Sequence, residues 1–398
     1  MKSIVNVMLI RQCLSLLPLE KFACPLMNYG KKLGADALIK IFVSAQLGKW
    51  ESYEDMEEKL RAYPDLRKDL RLTSISGSQL SRRINEFPTE QLQDLFFEMI
   101  NHVRSLTKKD KGLPKGIGRL NLVDSTHIKL PENLSNWAFV TQGWTVVKMH
   151  TRLVVTSVNT VFPDKIVPST GIVSDFEGSD ILVEESDATY VMDRGYASLM
   201  RLAYWLEKEI LFVVRIKEQT KITVLENALK SDDSHILTDA KVLVGSSRNQ
   251  IQRPLRLVEY TDEKGHRYRI ITNRWDLEAS QIAEIYRHRW QIETFFKWIK
   301  QHIRLTKLWS TKPQGIWNQM YLALIAFAVT LLVQQQLKTN KTMWQLLRLI
   351  RTYFNRTYQE FLNEVHRKKS KTSKGRQKVP DKPKETVDIG NVALSKVR

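Results

Sequence analysis

Three carboxylates, Asp124, Asp193 and Glu293, are the residues of this 398-residue sequence whose setting best suits chemistry. Asp124 closes the apolar run 120–123, and Asp193 closes the run 189–192 just ahead of Arg194-Gly195-Tyr196. Either acid alone also reads as a turn or capping residue. Two strands of buried type that both finish in Asp are how an α/β sheet presents carboxylates at its edge, where sites collect.

Glu293 is better specified, because it falls in a helical pattern over residues 280–302. At ~100° per residue, Tyr286, Arg289, Glu293 and Lys300 share a sector of roughly 60°, bordering the apolar face made by Ile285, Ile292, Phe296, Ile299 and Ile303. Arg289 and Glu293, four apart, could equally form a surface ion pair of about 0.3–0.5 kcal/mol. The chemistry that needs such a set is phosphodiester cleavage. Two divalent ions ~3.5–4 Å apart stabilise the attacking and leaving oxygens, and Mg²⁺ prefers hard oxygen ligands from Asp and Glu. Arg289 and Lys300 could then hold flanking phosphates, and Tyr286 could donate to another.

The elements that would position these groups follow along the chain. Residues 1–111 read as a helical domain: Asp36 can cap one helix and Pro88-Thr89 opens another. Between them Ser76-Gly77-Ser78-Gln79-Leu80-Ser81-Arg82-Arg83 reads as a turn and a short helix whose Arg82 and Arg83 suit a DNA groove, or as an ordinary solvated helix. A charged Gly- and Pro-containing linker at 108–116 precedes a change to short β-type runs at 120–123, 150–158, 189–192 and 210–216, with a helical segment at 198–207. That alternation is α/β. Residues 218–274 look like a β-rich insertion with strands at 237–244, 255–260 and 268–272, and residues 320–337 form another helical pattern. The fold class expected is therefore α/β, with core segments 112–217 and 275–337 interrupted by the insertion, and a C-terminal region, 338–398, that is helical and then disordered.

The balance of 62 Lys and Arg against 43 Asp and Glu, a net charge of +19, points to a polyanionic partner. Residues 367–398 hold eleven basic and three acidic side chains, so the body stays basic without its tail. This run either raises non-specific DNA affinity or is a solvated terminus. Two cysteines, Cys13 and Cys24, with no CxxC, support neither a disulfide framework nor a zinc site. The N-terminal apolar stretch is too short and interrupted for a signal peptide, and the longest apolar run falls short of the ~20 residues that span a bilayer. A cytoplasmic protein without a membrane partner is expected.

The run Tyr286-Arg287-His288-Arg289-Trp290-Gln291-Ile292-Glu293, continued to Lys300, resembles the Tyr-x2-Arg-x3-Glu-x6-Lys signature of DDE transposases in insertion-sequence family four. Val123-Asp124-Ser125-Thr126 is similar to the family's first Asp motif and Met192-Asp193-Arg194-Gly195-Tyr196 to its second. Spacings of 69 and 100 residues between the acids resemble those of members with a β-rich insertion. The resemblance covers about residues 120–335. It implies an RNase H-like core and Mg²⁺, with Mn²⁺ as a substitute, held by Asp124, Asp193 and Glu293. It also implies double-stranded DNA as partner, cleavage at terminal inverted repeats, transfer of the freed 3′-OH into target DNA, release through a hairpin, and a homodimer in the DNA complex. Tyr286, Arg289 and Lys300 would position end DNA, with Arg215, after the second Asp, as a further contact. Trp290 and Trp298 could stack on an unpaired base or pack on the helix; Trp275 is the candidate for the Trp that family members use in base flipping. A catalytically silent DNA-binding derivative and a non-transposing nuclease are the alternatives.

Overall fold

The computed structural model describes residues 7–22, 33–107, 113, 116–132, 136–157, 160–227, 234–303, 305 and 307–367. Most of the linker expected at 108–116, and the tail beyond Arg367, lie outside the described residues. The described residues ahead of 108 are mainly helical: α1 Leu9–Leu14, α2 Ala35–Gly48, α3 Tyr53–Ala62, α4 Pro64–Asp69, α5 Gly77–Glu86 and α6 Thr89–Thr107. The cap of α2 is Gly34, not Asp36 as expected; Asp36 sits inside the first turn and pairs with Lys40 at 2.9 Å. Ser76 and Gln79 close the start of α5 with reciprocal hydrogen bonds, a capping box.

Ten strands follow in one sheet: β1 Arg119–Lys129, β2 Phe139–Thr141, β3 Trp144–Ser157, β4 Thr160–Thr170, β5 Ala188–Met192, β6 Leu211–Arg215, β7 Ile222–Asn227, β8 Ile236–Val244, β9 Leu255–Thr261 and β10 Arg267–Thr272. Their order is β2-β3-β1-β5-β6-β10-β9-β8-β7, with β4 also on β3. β1 runs antiparallel to β3 but parallel to β5, and β5 is parallel to β6. The described residues of 218–274 carry β7, β8, β9 and β10. They do not stand apart, because β10 pairs with β6 and the segment prolongs the same sheet. Between β4 and β6 lie α7 Asp175–Leu182 and α8 Leu199–Glu207; after β10 come α9 Ala279–Arg287, α10 Trp290–His302, α11 Pro313–Leu337, α12 Met343–Thr352 and α13 Tyr358–Val365.

The strand period of two sorts side chains into two cores. Leu122, Val191, Val213, Val258 and Ile270 face the core shared with the N-terminal helices, α9, α10 and α11. Their neighbours Val123, Met192, Val214, Leu257 and Ile271 face a smaller core under α7 and α8, with Leu182, Leu202 and Trp205. The mixed α/β sheet is thus covered on both faces, which is why its middle strands are apolar without alternation. α11 is the one described helix long and apolar enough to cross a membrane, yet 94% of its most apolar window is buried inside the protein. A helix apolar all round serves as a core element here. Residues Met1–Val365 make one compact unit.

Candidate active site

Parallel pairing of β1 with β5 places Val123 opposite Met192, so Asp124 and Asp193, the residues that follow this pair, stand at the same level. β1 does not end at Asp124 as expected: its antiparallel ladder with β3 continues to Lys129, and Asp124 lies mid-strand opposite Thr151. β5 does end at Met192. There the Asp193 carbonyl accepts from the Tyr196 amide at 3.0 Å and its carboxylate from the Arg194 amide at 2.5 Å.

Glu293 lies in the first turn of α10. The single helix expected over 280–302 is divided: α9 stops at Arg287 and α10 starts at Trp290. Across the join the amides of Arg289, Gln291 and Ile292 bond three residues back rather than four, a tightened 3₁₀-type turn. The turn brings the Arg289 guanidinium between two acids, 2.5 Å from a Glu293 oxygen and 3.5 Å from a carboxylate oxygen of Asp124. The expected ion pair therefore exists, but it is part-buried and shared with Asp124.

Tyr286 is 4% exposed, with its ring 5.9 Å from that of Tyr268, so its hydroxyl is enclosed rather than offered outward. Burial pushes that hydroxyl up to about 12, and the charges of Arg289, Asp193 and Arg215 all bear on it. Arg215 lies over the Tyr268 ring at 4.8 Å, which joins it to the same cluster. Lys300 is two turns further along α10 and half-buried, its ammonium pulled below its ordinary value by that burial. Its charge reaches His127 on β1. Six of the residues singled out from sequence are thus one group, with Lys300 at its edge.

Arg82 and Arg83 are elsewhere, on α5, which packs against α3 and α11. Arg83 is buried and donates to the Leu33 carbonyl at 3.3 Å, and it lies 3.7 Å from Glu86; it is a structural residue, because its helix position faces inward. Arg82 is exposed beside Glu54, Glu57 and Glu86. Trp298 packs edge-on against Phe327 at 5.1 Å, whereas Trp290 is 58% exposed with Lys297 over its ring. Trp275 is exposed too. A cavity of about 730 Å³ opens beside Arg289, lined by Tyr260, Tyr268, Tyr286 and Trp290.

Burial pushes the Asp124 carboxyl up to about 6; the Ser125 amide and Arg289 oppose the shift, and the charges of Asp193 and Asp175 add to it. Asp175 was missed by sequence reading. Its signal was the Ser174-x-x-Glu177 capping box, which marks the helix whose first turn carries it.

With this geometry in view, residues 116–329 match the profile of the transposase DDE domain. The chain belongs to the DDE transposase family. A relative from Geobacillus stearothermophilus, "Probable transposase for insertion sequence element IS5377", is 27% identical over 322 residues, 80% of this chain and 81% of its own length. "Putative transposase y4zB" of Sinorhizobium fredii is 29% identical over 220 residues, 54% of this chain and 61% of its own length. A Synechocystis relative, "Putative transposase for insertion sequence element IS4SA", is 28% identical over 271 residues, covering 65% and 73%.

DDE transposase domains generally use divalent metal ions. Among the described residues no three of Asp, Glu, His and Cys are gathered as a ready ligand set, since Arg289 stands between Asp124 and Glu293. The donor chemistry nevertheless fits a hard cation: the ligands on offer are carboxylate oxygens, and Asp124 is raised first by burial and then by the charges of Asp193 and Asp175, all of which a bound cation offsets.

Proposed function

We propose that this chain is a transposase of the insertion-sequence family four type. It binds the terminal inverted repeats of its element as double-stranded DNA, cleaves there with Mg²⁺ or Mn²⁺, and joins the freed 3′-OH to target DNA. The observation that carries this reading is the strand register that sets Asp124 beside Asp193, with Glu293 tied to Asp124 through Arg289. The strand order β4-β3-β1-β5-β6, antiparallel for the first three and parallel for the rest, supports an RNase H-like core.

In the reaction, a water oxygen attacks the phosphorus at the element's end, the bond to the 3′ oxygen breaks, and that oxygen leaves as a 3′-OH. The same hydroxyl then attacks a target phosphodiester, forming one P–O bond as another breaks. Asp124, Asp193 and Glu293 would hold the divalent metal, which would supply positive charge to the attacking and leaving oxygens. Arg289 neutralises Asp124 and Glu293 until then and afterwards is free to take a phosphate. The enclosed Tyr286 ring braces Arg289, while Lys300 and Arg215 bind backbone phosphates. Assembly as a homodimer on DNA and a cytoplasmic setting belong to the same reading.

The test is an assay on duplexes carrying the inverted repeats that flank the reading frame, with Mg²⁺ and a plasmid target. Nicking at the repeat ends and joined products are expected. Cleavage without joining would leave a nuclease; binding without cleavage, even in Mn²⁺, would leave a DNA-binding derivative.

A further inference from the structure

Behind Asp124 lies a polar network that the three acids leave unexplained. Asp175, in the first turn of α7, accepts from the Ser125 hydroxyl at 2.5 Å and from the Lys148 ammonium at 3.3 Å, and lies 3.9 Å from Nδ1 of His150. The Ser125 amide in turn donates to the Asp124 carboxylate at 2.8 Å. Ser125 and His127 face His150 and Lys148 across the β1–β3 ladder, so the network spans both strands. Helix α7 comes this near because residue 178 is glycine: a Cβ there would stand 2.3 Å from His150 Nδ1.

One buried polar atom beside these acids, Nδ1 of His150, has no hydrogen-bond partner among the described residues, and the buried hydroxyl of Tyr196 turns to Ser125. His150 is fully buried and Tyr196 is 1% exposed. The charges of Asp124, Asp175 and Asp193 all bear on the Tyr196 hydroxyl. Buried polar atoms in native proteins are nearly always paired, so the orphaned His150 nitrogen beside Asp175 marks a place that completes itself with something else. A self-contained Lys148–Asp175 ion pair, with Lys148 also bound to the Val173 carbonyl, accounts for neither the orphaned His150 nitrogen nor the serine link to Asp124.

We propose that Asp175 is a fourth acidic group of the metal centre. It is a positioning residue: it holds Ser125, and through it the Asp124 carboxylate, and its charge adds to the field that draws a divalent cation in. The inference rests on Asp124, Asp193 and Glu293 being the ligands.

The test is Mn²⁺ binding to the full-length, DNA-free protein, read by calorimetry and by the loss of the free Mn²⁺ paramagnetic signal. Asp175→Asn is expected to weaken Mn²⁺ binding about tenfold, and Ser125→Ala to weaken it by less, with circular dichroism and chelator-independent DNA-end affinity unchanged. Asp124→Asn should abolish binding. Loss in Asp124→Asn together with wild-type Mn²⁺ binding in Asp175→Asn overturns this inference alone. Unchanged binding in Asp124→Asn overturns the ligand assignment with it. Should Asp175→Asn fail to fold, Ser125→Ala, which keeps every charge, decides: unchanged Mn²⁺ binding there overturns the proposal.

Discussion

At the scale of residues, Asp124 and Arg289 carry the electrostatics of the site. An unfolded aspartate titrates at ~3.9, and Asp124 is raised to about 6. The group's contribution to stability is thus complete below the unfolded value and is lost as pH rises through about 6. Asp124→Asn should therefore melt higher than wild type at pH 7.5 in chelator, with the gap closing at pH 4; equal melting at both would remove the premise of a carboxylate raised by burial. Arg289 is the cation that holds two of the acids in the meantime. Arg289→Ala leaves them facing each other and should cost about 1.5–3 kcal/mol at neutral pH, part of it recovered by millimolar Mn²⁺. A calorimetric melt in which Mn²⁺ stabilises both proteins equally contradicts that role. The types and spacing of these residues were legible in the sequence. Asp175 was not, because its approach to Asp124 depends on a helix arriving from beyond β4, which no local pattern records.

At the scale of elements, the site depends on two parallel strands in register and on a helix broken at the right place. The break at His288–Arg289 was illegible from periodicity, since both halves keep one apolar stripe and the tightened turn changes only which carbonyl each amide meets. The inward turn of Arg83 had the same cause: helical spacing shows two faces and not which one meets α11. That helix was legible as a core element from its unbroken apolar run, and its polar exceptions are informative. Asn318 is fully buried; its amide donates to the carbonyls of Ile84 and Phe87 at 2.7 Å, and its oxygen accepts from Thr89. Asn318→Ala strands the Ile84 carbonyl where α5 passes into α6, while the Phe87 carbonyl keeps the Gln314 amide at 2.7 Å, and should lower unfolding free energy by about 1–3 kcal/mol. A denaturant titration shifted by less than a quarter of that would show that water repairs the gap.

At the scale of the whole molecule, the alternation of strands and helices announced an α/β class, and the charge announced a polyanion. The sheet's continuity through residues 218–274 was not announced, because pairing of β10 with β6 joins segments some 60 residues apart and leaves no trace in either. If DNA binding is driven by the molecule's positive field, affinity for an end duplex should fall by about 10³–10⁵ between 50 and 200 mM salt for 6–10 phosphate contacts. Arg215→Ala and Lys300→Ala should each flatten the slope by about one contact, and Arg83→Ala, which lies in the interior, should not. A steeper loss with Arg83→Ala than with Lys300→Ala would put the DNA on the wrong face. One comparison tests the three acids most directly: cleavage of an inverted-repeat duplex in Mg²⁺ by the wild type and by Asp124→Asn, Asp193→Asn and Glu293→Gln. Each substitution should reduce cleavage to background while gel-shift affinity for the same duplex holds; cleavage that survives in any one of the three contradicts the assignment.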